Sequence, residues 1–165
     1  MKMFLKLIVL LILLVIGLVV GALWRSGAPL NAPPGTAERL RTYLTTNIAE
    51  TASHSRFPEL QERYYQLAPD KMLKQVQDTL EGLGWEVTAT DPRSRIVQAV
   101  VTTELLGFED DFTVTIHPRH GNSSRLAIRS ASRVGQADFG ANIGHILAFF
   151  EALEQGLPAD TATKP

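Results

Sequence analysis

The sequence predicts an α+β two-layer sandwich behind an N-terminal transmembrane helix, and three patterns carry that reading. The first is an apolar run, Leu7 to Trp24, free of charge and proline. The second is a pair of stretches whose apolar residues recur every three or four positions, the period of a helix with one buried stripe: Met72, Leu73, Val76, Leu80 and Leu83, then Phe139, Ile143, Ile146, Leu147, Phe150 and Leu153. The third is a series of short alternating segments between Trp85 and Val134, separated by turn residues, which is the period of strands. The resulting order is strand, helix, four-strand meander, helix. Turns this short require antiparallel neighbours, and two singly striped helices cover one face of such a sheet and leave the other open.

Taken in order, residues 1–25 read as a membrane anchor. Phe4 to Trp24 is 21 residues, which at ~1.5 Å each cover roughly 31 Å, close to the thickness of a bilayer core. Lys2 and Lys6 precede the run and only Arg25 follows it closely, a bias that places the N-terminus in the cytoplasm and the body outside, as in a single-pass bacterial inner-membrane protein with a periplasmic domain. The rival is a signal peptide cut after Ala22, in Val20-Gly21-Ala22. Residues 26–46 form a Pro/Gly linker and a short helix. Ser26 to Gly35 reads as a tether that lifts the body off the membrane, and Thr36 as the cap of a helix with Leu40, Tyr43, Leu44 and Ile48 on one side.

Residues 47–156 are the α+β domain and 157–165 a flexible tail. Arg63 to Leu67 reads as a short strand, and the helix from Pro69 stops at Gly84. Trp85, Val87 and Ala89 alternate before the turn Asp91-Pro92-Arg93-Ser94. Ile96 to Leu105 is expected to be the longest strand, Phe112, Val114 and Ile116 face inward on the next, and His120-Gly121-Asn122-Ser123 turns into Arg125 to Val134. There Leu126, Ile128, Ser130 and Ser132 alternate with Arg125, Arg129 and Arg133, so the arginines share one wet face. Asp138 stands where the last helix needs an N-cap, with Gly135 serving the turn and Gly140 and Gly144 allowing that helix close to the sheet.

Composition excludes several classes of function. Of 16 basic residues, Lys2, Lys6 and Arg25 precede the body, leaving 13 against 17 acidic ones. A net charge of about −4 is not the basic footprint of a nucleic-acid-binding domain. The chain has no cysteine, which removes disulfides, thiolate metal sites and a cysteine nucleophile. His54, His117, His120 and His145 lack ligand spacing, so neither a metal nor another cofactor is expected.

Asn47-Ile48-Ala49-Glu50-Thr51, Phe57-Pro58-Glu59-Leu60, Gly84-Trp85, Gly107-Phe108 with Asp110-Asp111, and Arg129-Ser130-Ala131-Ser132-Arg133-Val134-Gly135 with Asp138, Gly140 and Asn142 together resemble domain-of-unknown-function family 1499 over Asn47 to Leu153. The resemblance implies a bacterial or plastid-type protein, often envelope-anchored, without an assigned activity. Many members carry a cysteine before the domain and a basic residue where this chain has His145; this chain has neither. Ser130, Ser132, Gly135, Asp138, Gly140 and Asn142 form the structural part of the pattern.

The candidate site is the open sheet face. A turn from Leu105 to Asp110 would bring Glu104 opposite Asp111, Thr102 opposite Thr113 and Gln98 opposite His117, with Arg129 or Arg133 as the cation between the two carboxylates. With Phe108 as an apolar anchor, Glu104, Phe108, Asp111, Arg129 and Arg133 are the expected binding residues. No catalytic residue is assigned. The expected function is a non-enzymatic, membrane-tethered domain that binds an envelope protein. The alternatives are a carrier or sensor of a small amphipathic ligand or lipid, for which Ala99, Val100 and Val101 would line a cavity, and a hydrolase using Glu104 and Asp111.

Overall fold

The structure, a computed structural model, describes residues 2–103, 107–158 and 161–163. An apolar helix, α1 (Lys2–Arg25), is followed by α2 (Thr36–Thr45), β1 (Ile48–Glu50), a 3-10 turn at Pro58–Leu60, β2 (Arg63–Tyr65) and α3 (Pro69–Gly82). Then come β3 (Glu86–Asp91), β4 (Ile96–Thr102), β5 (Glu109–Arg119), β6 (Ser123–Ser132), α4 (Ala141–Gly156) and β7 (Ala162–Thr163). Among the described residues the strands form one seven-stranded sheet in the order β3-β4-β5-β6-β2-β7, with β1 also paired to β6. All named pairings are antiparallel. The fold class is the α+β arrangement that the sequence predicts.

The two apolar stripes make the core. Met72, Val76 and Leu80 of α3 and Ile143, Ile146, Phe149, Phe150 and Leu153 of α4 are buried against Val97, Ala99, Val101, Phe112, Val114, Ile116, Leu126 and Ile128 of the sheet. Each large apolar side chain so buried contributes roughly 1.5–3 kcal/mol of transfer free energy. Gly84 takes φ +74 just past α3, where only glycine turns the chain without a steric cost.

The register of β4 against β5 differs from the one expected. Thr102 pairs with Glu109, Val100 with Asp111 and Gln98 with Thr113, a slide of four residues relative to the predicted pairs. The ladder closes earlier because Thr103 N–H donates to the Phe108 carbonyl (2.8 Å), Gly107 N–H to the Thr103 carbonyl (2.9 Å) and Phe108 N–H to Thr103 Oγ1 (2.9 Å). Gly107, at φ +64, supplies the reversal. An even slide preserves the side-chain parity of a strand, so Phe112, Val114 and Ile116 are buried as predicted. Among the described residues the longest strand is β5, with 11 residues, not β4, with 7.

Three further expectations change. The short helix ends at Thr45, Ile48 opens β1, and Leu44 is exposed, so the buried side chains of α2 are Arg39 and Tyr43. Thr36 is its first helical residue and makes no side-chain cap; Gly35, at φ +120, holds the cap position. Ser26 to Gly35 is not a free tether. Ala28 is buried in the core cluster and Leu30 packs against it.

The arginine of α2 locks that stretch. Arg39 is fully buried, and its guanidinium donates to the carbonyls of Pro29 (2.7 Å), Ala32 (2.9 Å) and Pro33 (2.5 Å), to Tyr43 Oη (2.8 Å) and to both carboxylate oxygens of Glu59 (2.5 and 2.9 Å). Tyr43 Oη donates in turn to the Pro29 carbonyl (2.7 Å). Every guanidinium nitrogen is thereby satisfied, the condition under which a charge tolerates burial.

Candidate functional site

β6 carries different chemistry on its two faces because successive side chains point to opposite sides of a sheet. On the open face its arginines lie along a row of β5: Arg129 pairs with Thr113 and Arg125 with His117, while Ala131 stands opposite Asp111. Each arginine is matched by carboxylates of this same chain. Arg125 holds Glu62 (2.8 and 2.9 Å), Arg129 holds Glu50 (2.9 Å), and Arg133 holds Asp111 (2.8 Å) and Glu109. Glu50 reaches Arg129 because β1 pairs residue for residue with Arg129 to Ala131.

Among the expected binding residues, the structure therefore joins Arg133 to Asp111 but gives Arg129 a different partner. Glu104 lies outside the described residues, and the ladder position opposite Asp111 belongs to Val100. Phe108, 49 % exposed, sits in the loop at the end of the sheet, beyond the ladder.

Nothing in the local sequence marks Glu62, yet it is the most buried carboxylate on this face and also accepts a hydrogen bond from Ser53 Oγ (2.5 Å). Burial pushes its carboxyl up, but the Ser53 hydroxyl and the Arg125 guanidinium outweigh this and hold it below the ordinary glutamate range. Burial and Arg125 push the His117 imidazole down, with Glu62 opposing.

The other face of β6 is a closed polar knot. Asn142, fully buried at the start of α4, accepts from Ser130 Oγ (2.5 Å) through Oδ1, and its amide lies within donating distance of the Asn47 carbonyl (2.9 Å), Ser132 Oγ (2.9 Å) and Asp138 Oδ2 (2.7 Å). Asp138 also accepts from the backbone N–H of Gly140 (2.8 Å) and of Asn142 (3.2 Å). It fixes the start of α4 from two residues before the N-cap position, which Gly140 fills at φ +85. Asn47 Nδ2 donates to the Gly135 carbonyl (2.8 Å). The Ser-x-Ser, Asp-x-Gly-x-Asn pattern thus ties β6, β1 and α4 together with its own donors and acceptors. Asn47 was visible in the sequence only as part of a longer matching segment, without a role.

Gly140 and Gly144 do not serve to bring α4 close to the sheet. A Cβ on Gly144 would stand 1.9 Å from the Ser26 carbonyl oxygen, and one on Gly140 would stand 2.9 Å from Ala28 Cβ. These glycines receive the chain that leaves α1.

One buried pair remains. Asp110 faces His145 with Oδ2 3.6 Å from Nδ1, too long for a hydrogen bond, and Trp85 meets the imidazole edge-on at 5.7 Å. Burial pushes the His145 imidazole down, with Asp110 and Asp138 pulling it up. Among the described residues no group of three or more His, Asp or Glu side chains is set to hold a metal ion.

Fold and site together define an α+β domain with one open sheet face, carried behind a helix of 24 residues that is long and apolar enough to cross a membrane. The chain belongs to the family described as Protein of unknown function (DUF1499), which matches residues 32–153. No curated protein matches it. It is similar to the crystal structure of TTHA0849 from Thermus thermophilus, with 13 % identity and a TM-score of 0.38 over 66 % of this chain and 94 % of that one.

Proposed function

We propose that this protein is a non-enzymatic docking domain, anchored in the bacterial inner membrane by α1 with its body on the periplasmic side, and that a protein partner binds the open face of the sheet. The observation that carries this reading is the ladder of matched charges along β6: Arg125 with Glu62, Arg129 with Glu50, and Arg133 with Asp111 and Glu109. Arginines already held by carboxylates are poor receptors for a free anion. A face that offers both signs in a fixed order suits a protein surface of complementary order, where such patterns set register and exclude wrong partners. The orientation rests on Lys2 and Lys6 ahead of the helix.

The packing supports this reading over a carrier: of Ala99, Val100 and Val101, the first and last belong to the packed core cluster, while Val100, also buried, stands opposite Asp111. Of the two carboxylates a hydrolase would use, Asp111 stands opposite Val100 and is held by Arg133, which favours a structural over a catalytic role for it.

The test is in-cell photo-cross-linking from a benzophenone side chain at Thr113, in the middle of the face. The expected result is a discrete adduct with one envelope polypeptide that disappears in the double variant R129E/R133E, while the denaturation curve stays unchanged. An undiminished adduct in that variant rejects the proposal.

A further inference from the structure

The end of α1 is built into the body. Leu23, inside the apolar run, packs against the core cluster. Ser26 Oγ donates to the Leu23 carbonyl (2.8 Å) and accepts from Ala28 N–H (3.2 Å). The Ser26 carbonyl oxygen then lies so close to Gly144 that no side chain fits there. Ser26 is two residues beyond Trp24, about 3 Å along a helix axis. The headgroup region on each side of a bilayer is roughly 5–8 Å deep. With α1 across a membrane, the first turns of α4 are therefore held at headgroup depth.

A separate observation points to the same end. Apart from α1, the exposed large apolar side chains among the described residues are Leu44, Ile48, Phe108 and Val134, between 43 and 57 % exposed. All four lie where β6 ends and α4 begins. Ile48 pairs with Ala131. Val134 follows β6, and the adjoining Arg133 N–H donates to the carbonyl of Glu109, next to Phe108. Leu44 is in the last turn of α2, whose following residue Thr46 accepts from Asp138 N–H. At the opposite end of the sheet, the turns at Pro92 to Arg95 and His120 to Asn122 carry charged and polar side chains.

We propose that this apolar end of the domain is a lipid-seating surface. Leu44, Phe108 and Val134, with Ile48 at the margin, enter the headgroup region beside Trp24 and hold the body flush against the bilayer. The partner is the lipid surface itself, recognised through apolar burial at the interface, and the seat leaves the open face of the sheet standing off the membrane for docking. The proposal rests on α1 being a retained anchor.

Because the chain has no cysteine, single sites can be labelled in the full-length protein. Pyrene would be attached to V134C and, at the far end of β6, to H120C, and each protein reconstituted in phosphatidylcholine/phosphatidylglycerol vesicles with and without lipids bearing a headgroup nitroxide. Emission from position 134 is expected to be lost to the nitroxide, with no change on raising the salt, while emission from position 120 is kept. Equal quenching at both positions, or none at either, overturns the proposal. Pyrene excimer emission at position 134 without nitroxide quenching assigns the apolar end to a second copy of the chain and also overturns it. Failure of the vesicles to carry the protein on flotation, or an intact mass lacking the first 22 residues, removes the anchor reading and the seat with it.

Discussion

Arg39 and Arg129 each hold a glutamate, Arg39 at 2.5 Å and Arg129 at 2.9 Å, yet the two pairs do different work. Arg39 is fully buried and also binds three carbonyls and a tyrosine hydroxyl, groups that water does not reach to replace it. Arg129 and Glu50 are both about half exposed, and water can replace either partner. The same contrast runs through the two faces of β6, where Ser130 and Ser132 close a buried knot with Asn142 while Arg129 and Arg133 form an exposed ladder. A polar group taken out of water must be matched by the protein; one left in water is free to exchange partners. The buried polar groups therefore specify the fold, and the exposed ones are available for recognition.

Removing a buried partner should cost most. Arg39→Met takes the guanidinium from Glu59, Tyr43 Oη and the Pro33 carbonyl, and leaves the carbonyls of Pro29 and Ala32 with one donor each, Tyr43 Oη and Gly35 N–H. Breaking one side of a buried pair typically costs about 3–5 kcal/mol, and urea denaturation of the detergent-solubilised protein should show a loss of that order. Next comes Asn142→Leu, which strands Ser130 Oγ and takes one of its two donors from the Asn47 carbonyl, which keeps Ser132 N–H. At about 1–3 kcal/mol for a buried group left unpaired, the denaturation midpoint should fall clearly, and hydrogen exchange at the start of α4 should accelerate.

A smaller effect, visible only as a function of pH, should come from His145. Its folded pKa lies below the ordinary value of about 6.5, because burial disfavours the imidazolium. The unfolded chain then binds the proton more readily, so the stability associated with neutral His145 is complete above that value and is lost as pH falls from it toward the lower folded pKa. Thermal melts of His145→Phe should be flatter across that interval than those of the parent protein. A steeper dependence in the variant would show Asp110 to be the dominant influence. Least of all, Arg129→Ala should leave stability within experimental scatter, and any shift should vanish at high salt, since an exposed pair is weak and screened.

The parts of the fold that were legible in the sequence are those where a single period runs for ten residues or more. Val76 and Leu80 on α3, Ile146 and Phe150 on α4, and the alternation of Leu126 and Ile128 with Arg125 and Arg129 all announce a face, and those faces are correct. The register of β4 on β5 was illegible because alternation fixes parity but not alignment: Thr102 could oppose Thr113 or Glu109 with the same side chains inward. Only the hydrogen bonds between Thr103 and Phe108 decide it. β1 has three residues, too few for any period, so the carboxylate that Glu50 brings to Arg129 could not be placed. Arg39 was missed for a different reason. A charged residue on a short helix reads as surface, and the carbonyls that make its burial tolerable come from a proline-rich stretch that itself reads as loose.

That stretch bears on how the protein can be cut. The family match begins at residue 32, but the folded unit begins earlier, since Leu23, Ala28 and Leu30 pack against the core and the Pro29 carbonyl binds Arg39 and Tyr43. A protease acting after Ala22 would leave these residues on the body and release a complete domain. One acting between Pro29 and Gly35 would instead withdraw a piece of the interior, and the fragment shed would be a substrate for degradation rather than a soluble form of the protein.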